Sequence, residues 1–202
     1  VNFVDGLFVQ GLYQIKPPLP FVPGSELSGT IAEVGDGVMG WAVGDRLLAS
    51  VGLGGFAEEV IIGANQAVAV PDGVDLTTAA TIGQSYCTAW YALARRARVT
   101  EGQTLLVLGA AGGVGLAAID VGVALGATVI AAASSPQRLA AATAAGATST
   151  VDYSTESLKD RARELSGGGV NVAIDPVGGP LAEQALRALG TRGRLLVIGF
   201  AS

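Results

Sequence analysis

The chain has 202 residues, half of them hydrophobic and only 14% charged, with a net charge of −5. That composition suits a globular chain with a sizeable core, and its acidic balance argues against nucleic acid or an anionic membrane surface as partner, because both need clustered Lys and Arg. One cysteine, Cys87, and no histidine exclude an intramolecular disulfide and His-based acid–base chemistry, leave too few soft ligands for a typical zinc site, and fit a reducing, cytoplasmic compartment.

The opening Val1-Asn2-Phe3-Val4-Asp5 has no basic segment followed by an apolar run, so no signal peptide is expected. It also lacks an initiator Met, and the last residues stop abruptly at Gly199-Phe200-Ala201-Ser202, so both ends are expected to be cut from a larger protein. Short β-like runs at 29–34, 46–50, 56–62 and 67–70 follow, separated by Pro and Gly turns such as Pro23-Gly24, Gly44-Asp45 and Pro71-Asp72-Gly73. This spacing predicts a small β-rich domain. A helix over 76–98 is expected to join it to the rest, with Cys87 as a small buried hydrophobe within it.

The second half has a different rhythm. Strands are expected at 104–108, 127–133, 148–151, 170–174 and 194–198, with helices at 114–125, 136 to Gly146, 155–165 and 180–189. Ser135-Pro136 supplies an N-cap and a first-turn proline, and Gly146 closes that helix. Strands alternating with helices of this length predict parallel βαβ units, an α/β doubly wound sheet. From 104 to 133 the only charged residue is Asp120, which mimics a membrane span. Glycines at 109, 112 and 113 divide that stretch into pieces too short to cross a bilayer, so it reads as buried core.

The glycine turn Gly109-Ala110-Ala111-Gly112-Gly113-Val114-Gly115 follows a strand and opens a helix at the start of the βαβ series. That context makes it a dinucleotide site, in which a pyrophosphate approaches bare backbone at a helix N-terminus. Ala111, Gly112, Gly113 and Val114 are the expected contacts. Gly112 allows the approach and Gly115 lets the helix pack on the strand, while Ala110 stands where the strict pattern has its first glycine. An NAD site needs a carboxylate about 20 residues on, at the end of the second strand. No Asp or Glu occurs between Asp120 and Asp152, and Ser134, Ser135 and Arg138 stand there instead. Two hydroxyls and a guanidinium suit a 2′-phosphate, so the cofactor is expected to be NADPH.

With these motifs the chain resembles the medium-chain dehydrogenase/reductase superfamily, in its zinc-free NADPH:quinone oxidoreductase branch. The opening motif, Gly11-Leu12-Tyr13, the segment Leu19-Pro20-Phe21-Val22-Pro23-Gly24-Ser25-Glu26, Val43-Gly44-Asp45-Arg46 and the Ala110 form of the glycine turn all look like it. The resemblance implies a partial GroES-like catalytic domain with its connecting helix at 1–98, and a Rossmann domain at 99–202 that lacks its sixth strand. It places Arg138 and Tyr153 at the 2′-phosphate, Thr88, Tyr91, Val177, Gly199 and Phe200 along the rest of the cofactor, Asn2 and Asp5 near the nicotinamide, and Tyr13 as a cleft tyrosine. Leu7 replaces a tyrosine common in the branch.

Hydride transfer needs no protein nucleophile and here no metal, only orientation and a donor to the developing oxyanion. Tyr13 is the candidate catalytic donor, with packing at the rim as its plain alternative. Glu26 reads as a structural carboxylate satisfying backbone donors. The expected substrate is a quinone or similar unsaturated carbonyl compound, and the resemblance implies a homodimer. An enoyl-thioester reductase and a non-catalytic NADPH-binding protein remain the alternatives.

Overall fold

The computed structural model describes residues 1–199. The chain divides between Gln84 and Ser85 into two compact units. Phe200 and the two residues after it lie outside the described residues.

The first unit opens with a helix, α1 (Phe3–Val9), which the sequence reading did not anticipate. Its start is fixed by Asp5, whose Oδ2 accepts the Asn2 backbone N–H at 2.7 Å. An Asn three residues before an Asp is a helix-start signal that could have been used. Three short strands follow, β1 (Glu26–Thr30), β2 (Arg46–Ser50) and β3 (Ala67–Ala69), antiparallel in the order β1-β2-β3. Leu48 of the central strand pairs with Ser28 on one side and Val68 on the other, while its neighbours Leu47 and Ala49 are buried. Period-two alternation explains the half-buried sheet. Residues 56–62 form no strand, contrary to the sequence expectation. Adjacent Glu58 and Glu59 break the alternation, and Ile61 is fully exposed. Only 54–56 bond across, to the carbonyls of Val22, Pro23 and Gly24.

The helix expected over 76–98 comes in three pieces. They are α2 (Leu76–Ala79), α3 (Ile82–Trp90) and a π-helical turn, Tyr91–Ala97, which ends at Arg98 in the left-handed region. Ala89, Ala92, Leu93 and Ala97 join the core of the second unit, so most of this segment packs there.

The second unit is the expected parallel sheet. Its elements are β4 (Thr104–Val107), α4 (Gly113–Ala124), β5 (Thr128–Ala133), α5 (Pro136–Ala144), β6 (Ser149–Asp152), α6 (Leu158–Leu165), β7 (Val170–Asp175), α7 (Gly179–Ala188) and β8 (Leu189–Val197). All pairings are parallel and the order is β6-β5-β4-β7-β8. Successive side chains face opposite ways. Leu105, Val107, Val129, Ala131, Val172 and Ile174 pack with α4, whereas Leu106, Leu108, Ile130, Ala132 and Ala173 pack with α6 and α7. Burial on both faces is why these strands read as unbroken apolar runs. α4 lies so close that a Cβ on Gly122 would come 2.6 Å from Leu105 Cδ2. No helix among the described residues is long and apolar enough to cross a membrane.

Candidate dinucleotide site

Parallel strands bring their carboxyl ends to one edge of the sheet, and the order reverses between β4 and β7. Ligands of such sheets bind at that reversal. The loop after β4 is tied to both neighbours there: Leu108 N–H donates to the Ile174 carbonyl at 3.0 Å and Ala110 N–H to the Ala132 carbonyl at 3.1 Å. Gly109 takes φ +56, and its carbonyl accepts the Gly112 N–H at 2.9 Å, which curls the loop over the start of α4.

Gly112 is the N-cap of α4, and no side chain caps it. The first-turn N–H groups of Gly113, Val114 and Gly115 therefore have no acceptor within the helix, and with the helix dipole they favour an anion. Gly112 and Gly113 are exposed and Ala111 and Val114 half-buried, so solvent and ligand reach the turn. A Cβ at Gly115 would lie 2.3 Å from the Gly109 carbonyl oxygen, and one at Gly113 would lie 2.8 Å from Ser85 Oγ. Gly115 is thus required by the fold of the loop. A Cβ at Gly112 meets the Gly109 oxygen at 3.3 Å and no other of the described atoms within 4 Å.

At the end of β5, Ser135 Oγ accepts the Arg138 N–H at 3.4 Å as the cap of α5, and Arg138 Nη1 donates to Ser134 Oγ at 2.8 Å. Among the described residues Arg138 forms no ion pair. Tyr153 is brought alongside, since its N–H donates to the Ala133 carbonyl at 3.1 Å. Asp152 is the register partner of Ala133, but its Oδ1 is engaged by Ser154, which donates its N–H at 3.0 Å and its O–H at 2.5 Å. The sheet thus gathers Ser134, Ser135, Arg138 and Tyr153 at one corner.

Across the reversal, Asp175 ends β7. Its Oδ1 accepts the N–H groups of Val177 at 2.8 Å and Gly178 at 2.9 Å, and its backbone carbonyl accepts the Ile198 N–H at 2.9 Å, which sets Gly199 beside it. Sequence reasoning named Val177 and Gly199 but missed Asp175. An Asp closing a strand just before proline is the turn signal that points to it.

Thr88 and Tyr91 line an open cavity of about 610 Å³ with Cys87, Arg96 and residues 195–198. Cys87 is exposed, correcting the expectation that it is buried. The buried stripe of this segment runs through Ser85, Ala89, Ala92, Leu93 and Ala97 at helical spacing, and Cys87 lies off it. Beside it, Tyr86 O–H donates to Asp120 Oδ2 at 3.0 Å, and burial, then that carboxylate, raises the phenol's pKa above its ordinary value.

In the first unit, Asn2 Nδ2 donates to Glu26 Oε1 at 2.8 Å and to Ser25 Oγ at 3.3 Å, and Glu26 Oε2 accepts the Gln84 N–H at 2.7 Å. Glu26 has the structural role read from the sequence, with a side-chain amide as its second donor. Asp5 is buried. The Tyr13 ring packs on Phe8 with centroids 4.6 Å apart, and its hydroxyl has no partner among the described residues. No three His, Cys, Asp or Glu side chains among the described residues gather into a possible metal site.

The family described as alcohol dehydrogenase GroES-like domain matches residues 1–72, and that described as zinc-binding dehydrogenase matches 113–202. Quinone oxidoreductase-like protein 2 of Bos taurus is 46% identical over 203 residues, covering all of this chain and 58% of the relative. The quinone oxidoreductase of Escherichia coli, solved with NADPH, superposes with a TM-score of 0.94 at 33% identity, over all of this chain and 62% of that one. That of Thermus thermophilus, solved alone and with NADPH, gives 0.83 at 32% identity, over 99% of this chain and 68% of that one. The chain spans 56–58% of the length of the first curated relatives it matches.

Proposed function

Since this chain belongs to the medium-chain dehydrogenase/reductase superfamily, in its quinone oxidoreductase branch, we propose that it carries the NADPH site of a reductase acting on quinones or similar unsaturated carbonyl compounds. The observation that carries this reading is the open glycine cradle at the N-terminus of α4, with a guanidinium at the neighbouring strand end that forms no ion pair among the described residues. The residues fit the cofactor. Ala111, Gly112, Gly113 and Val114 offer backbone to its diphosphate, Arg138, Ser134 and Ser135 take its 2′-phosphate, and Tyr153 borders the same corner. Val177, Gly199, Thr88 and Tyr91 line its remaining length.

When bound, NADPH supplies the hydride. The chain's own task is to hold it, exclude competing reactions and place a donor at the substrate oxygen. Tyr13 is that donor, since a phenol O–H can hydrogen-bond a developing oxyanion. No metal is assigned a part, because one cysteine and no histidine are too few soft ligands for the sites such metals use. The test is titration of the purified protein with NADPH and NADH, followed by turnover on quinone and enoyl-thioester panels. Tighter NADPH binding with quinone turnover supports the proposal. Equal or tighter binding of NADH removes the cofactor assignment, and turnover of enoyl-thioesters alone reassigns the substrate.

A further inference from the structure

A carboxylate that the hydride reaction does not use sits at the reversal of strand order. Asp175 has no exposed surface, and while Oδ1 accepts the N–H groups of Val177 and Gly178, Oδ2 is buried with no partner among the described residues. Burying a carboxyl oxygen with no hydrogen-bond partner is costly, so its position calls for a function beyond filling space. The two bonds fold residues 176–178 into a tight turn in which Gly178 takes φ +82. They aim the Val177 side chain at the dinucleotide loop: a Cβ built on Gly109 would lie 2.9 Å from Val177 Cγ2 and 3.5 Å from Pro176 Cγ. Gly109 in turn provides the carbonyl that holds the Gly112 N–H and that Gly115 must approach without a side chain.

We infer that Asp175 is a positioning residue for the dinucleotide site, setting through the 176–178 turn and Val177 the place of Gly109 and hence of the phosphate cradle. The inference rests on the reading of this edge as an NADPH site. Because the Val177 N–H is bonded to Asp175, it is the side chain of Val177 that carries the effect.

The experiment compares Asp175→Ala, Asp175→Asn and Gly178→Ala in the purified protein, reading NADPH affinity by fluorescence, kcat and KM, and thermal melting without nucleotide. A misplacement of about 1 Å made through a neighbour can cost about a hundredfold in rate, and a smaller shift of the phosphate cradle is expected to cost about tenfold in NADPH affinity. Asp175→Ala should weaken NADPH by about that factor and raise KM for NADPH, while kcat at saturation changes by less than about threefold. Asp175→Asn keeps one carbonyl oxygen for both N–H groups and should restore affinity to within about threefold of the parent. Unchanged affinity in Asp175→Ala, or Asp175→Asn as weak as the alanine variant, overturns the inference. If Asp175→Ala shows no cooperative melt, Gly178→Ala decides, since a side chain at φ +82 strains the same turn and Gly178 is not assigned to the cofactor: weakened affinity supports the inference and parental affinity overturns it. A parent protein that binds no NADPH would instead refute the proposed function.

Discussion

Arg138 reaches back along the first turn of α5 and donates from Nη1 to Ser134 Oγ at 2.8 Å, so a guanidinium lies over the end of β5, where NAD sites place a carboxylate. Nothing on the described surface neutralises it. Hydrogen bonds to charged groups contribute about 1.5–3 kcal/mol each, which is roughly one to two decades in affinity. Arg138→Ala should therefore weaken NADPH about tenfold to a hundredfold and leave NADH within about threefold in fluorescence titration. Ser134→Asp should move preference toward NADH, since its carboxylate repels a 2′-phosphate and can accept from ribose hydroxyls. Equal losses for both nucleotides in Arg138→Ala would remove the 2′-phosphate assignment.

Gly112 and Gly115 are three residues apart and should fail differently. At Gly115 a Cβ would sit 2.3 Å from a backbone oxygen, so Gly115→Ala must displace the loop, and overpacking of this kind costs about 1–3 kcal/mol. At Gly112 the backbone is extended, φ −80 and ψ 168, and an alanine is tolerated with small adjustment. Gly112→Ala should melt close to the parent yet bind NADPH at least about tenfold more weakly, because the new methyl occupies the phosphate's approach. Parental NADPH affinity in Gly112→Ala would show that no diphosphate rests there.

The carboxyl-edge half of this site was legible because each part has a local cause. Gly112 and Gly115 mark the turn, Ser135-Pro136 marks the cap that places Arg138, and the parallel βαβ rhythm fixes which strand ends share an edge. Asp175 escaped because its partners are backbone N–H groups, which leave no trace beyond the Asp-Pro pair. Cys87 departs from the usual burial of cysteine because helical phase decides there, and Ser85, Ala89 and Leu93 claim the buried stripe. Residues 56–62 read as a strand from a short run set between turns, and pairing, which depends on a neighbour distant in sequence, overrules that local pattern.

Tyr13 tests the chemistry as distinct from the binding. Its ring is held against Phe8, and Tyr13→Phe keeps that contact, so melting should be unchanged. A positioned acid or base contributes about 10²–10⁴-fold, so loss of the hydroxyl should lower kcat for quinone reduction by about a hundredfold with KM for NADPH unaltered. Parental turnover in Tyr13→Phe would leave that ring with a packing role alone.

Glu26 offers a sharper test, because its two donors differ in freedom. The Gln84 N–H is backbone and fixed, while Asn2 can rotate its amide to present either atom. In Glu26→Gln the side-chain carbonyl must turn to Gln84, which leaves its NH₂ facing the NH₂ of Asn2. An Asn2 flip relieves that clash but surrenders the bond to Ser25 Oγ as donor, so a loss of about 1 kcal/mol is expected. Glu26→Ala strands both donors and should cost about 1–3 kcal/mol. The double variant Asn2→Asp, Glu26→Gln puts a carboxylate opposite the new NH₂ and should recover most of the Glu26→Gln loss in denaturant unfolding. Additive losses in the double variant would mean that Asn2 and Glu26 do not act as a pair.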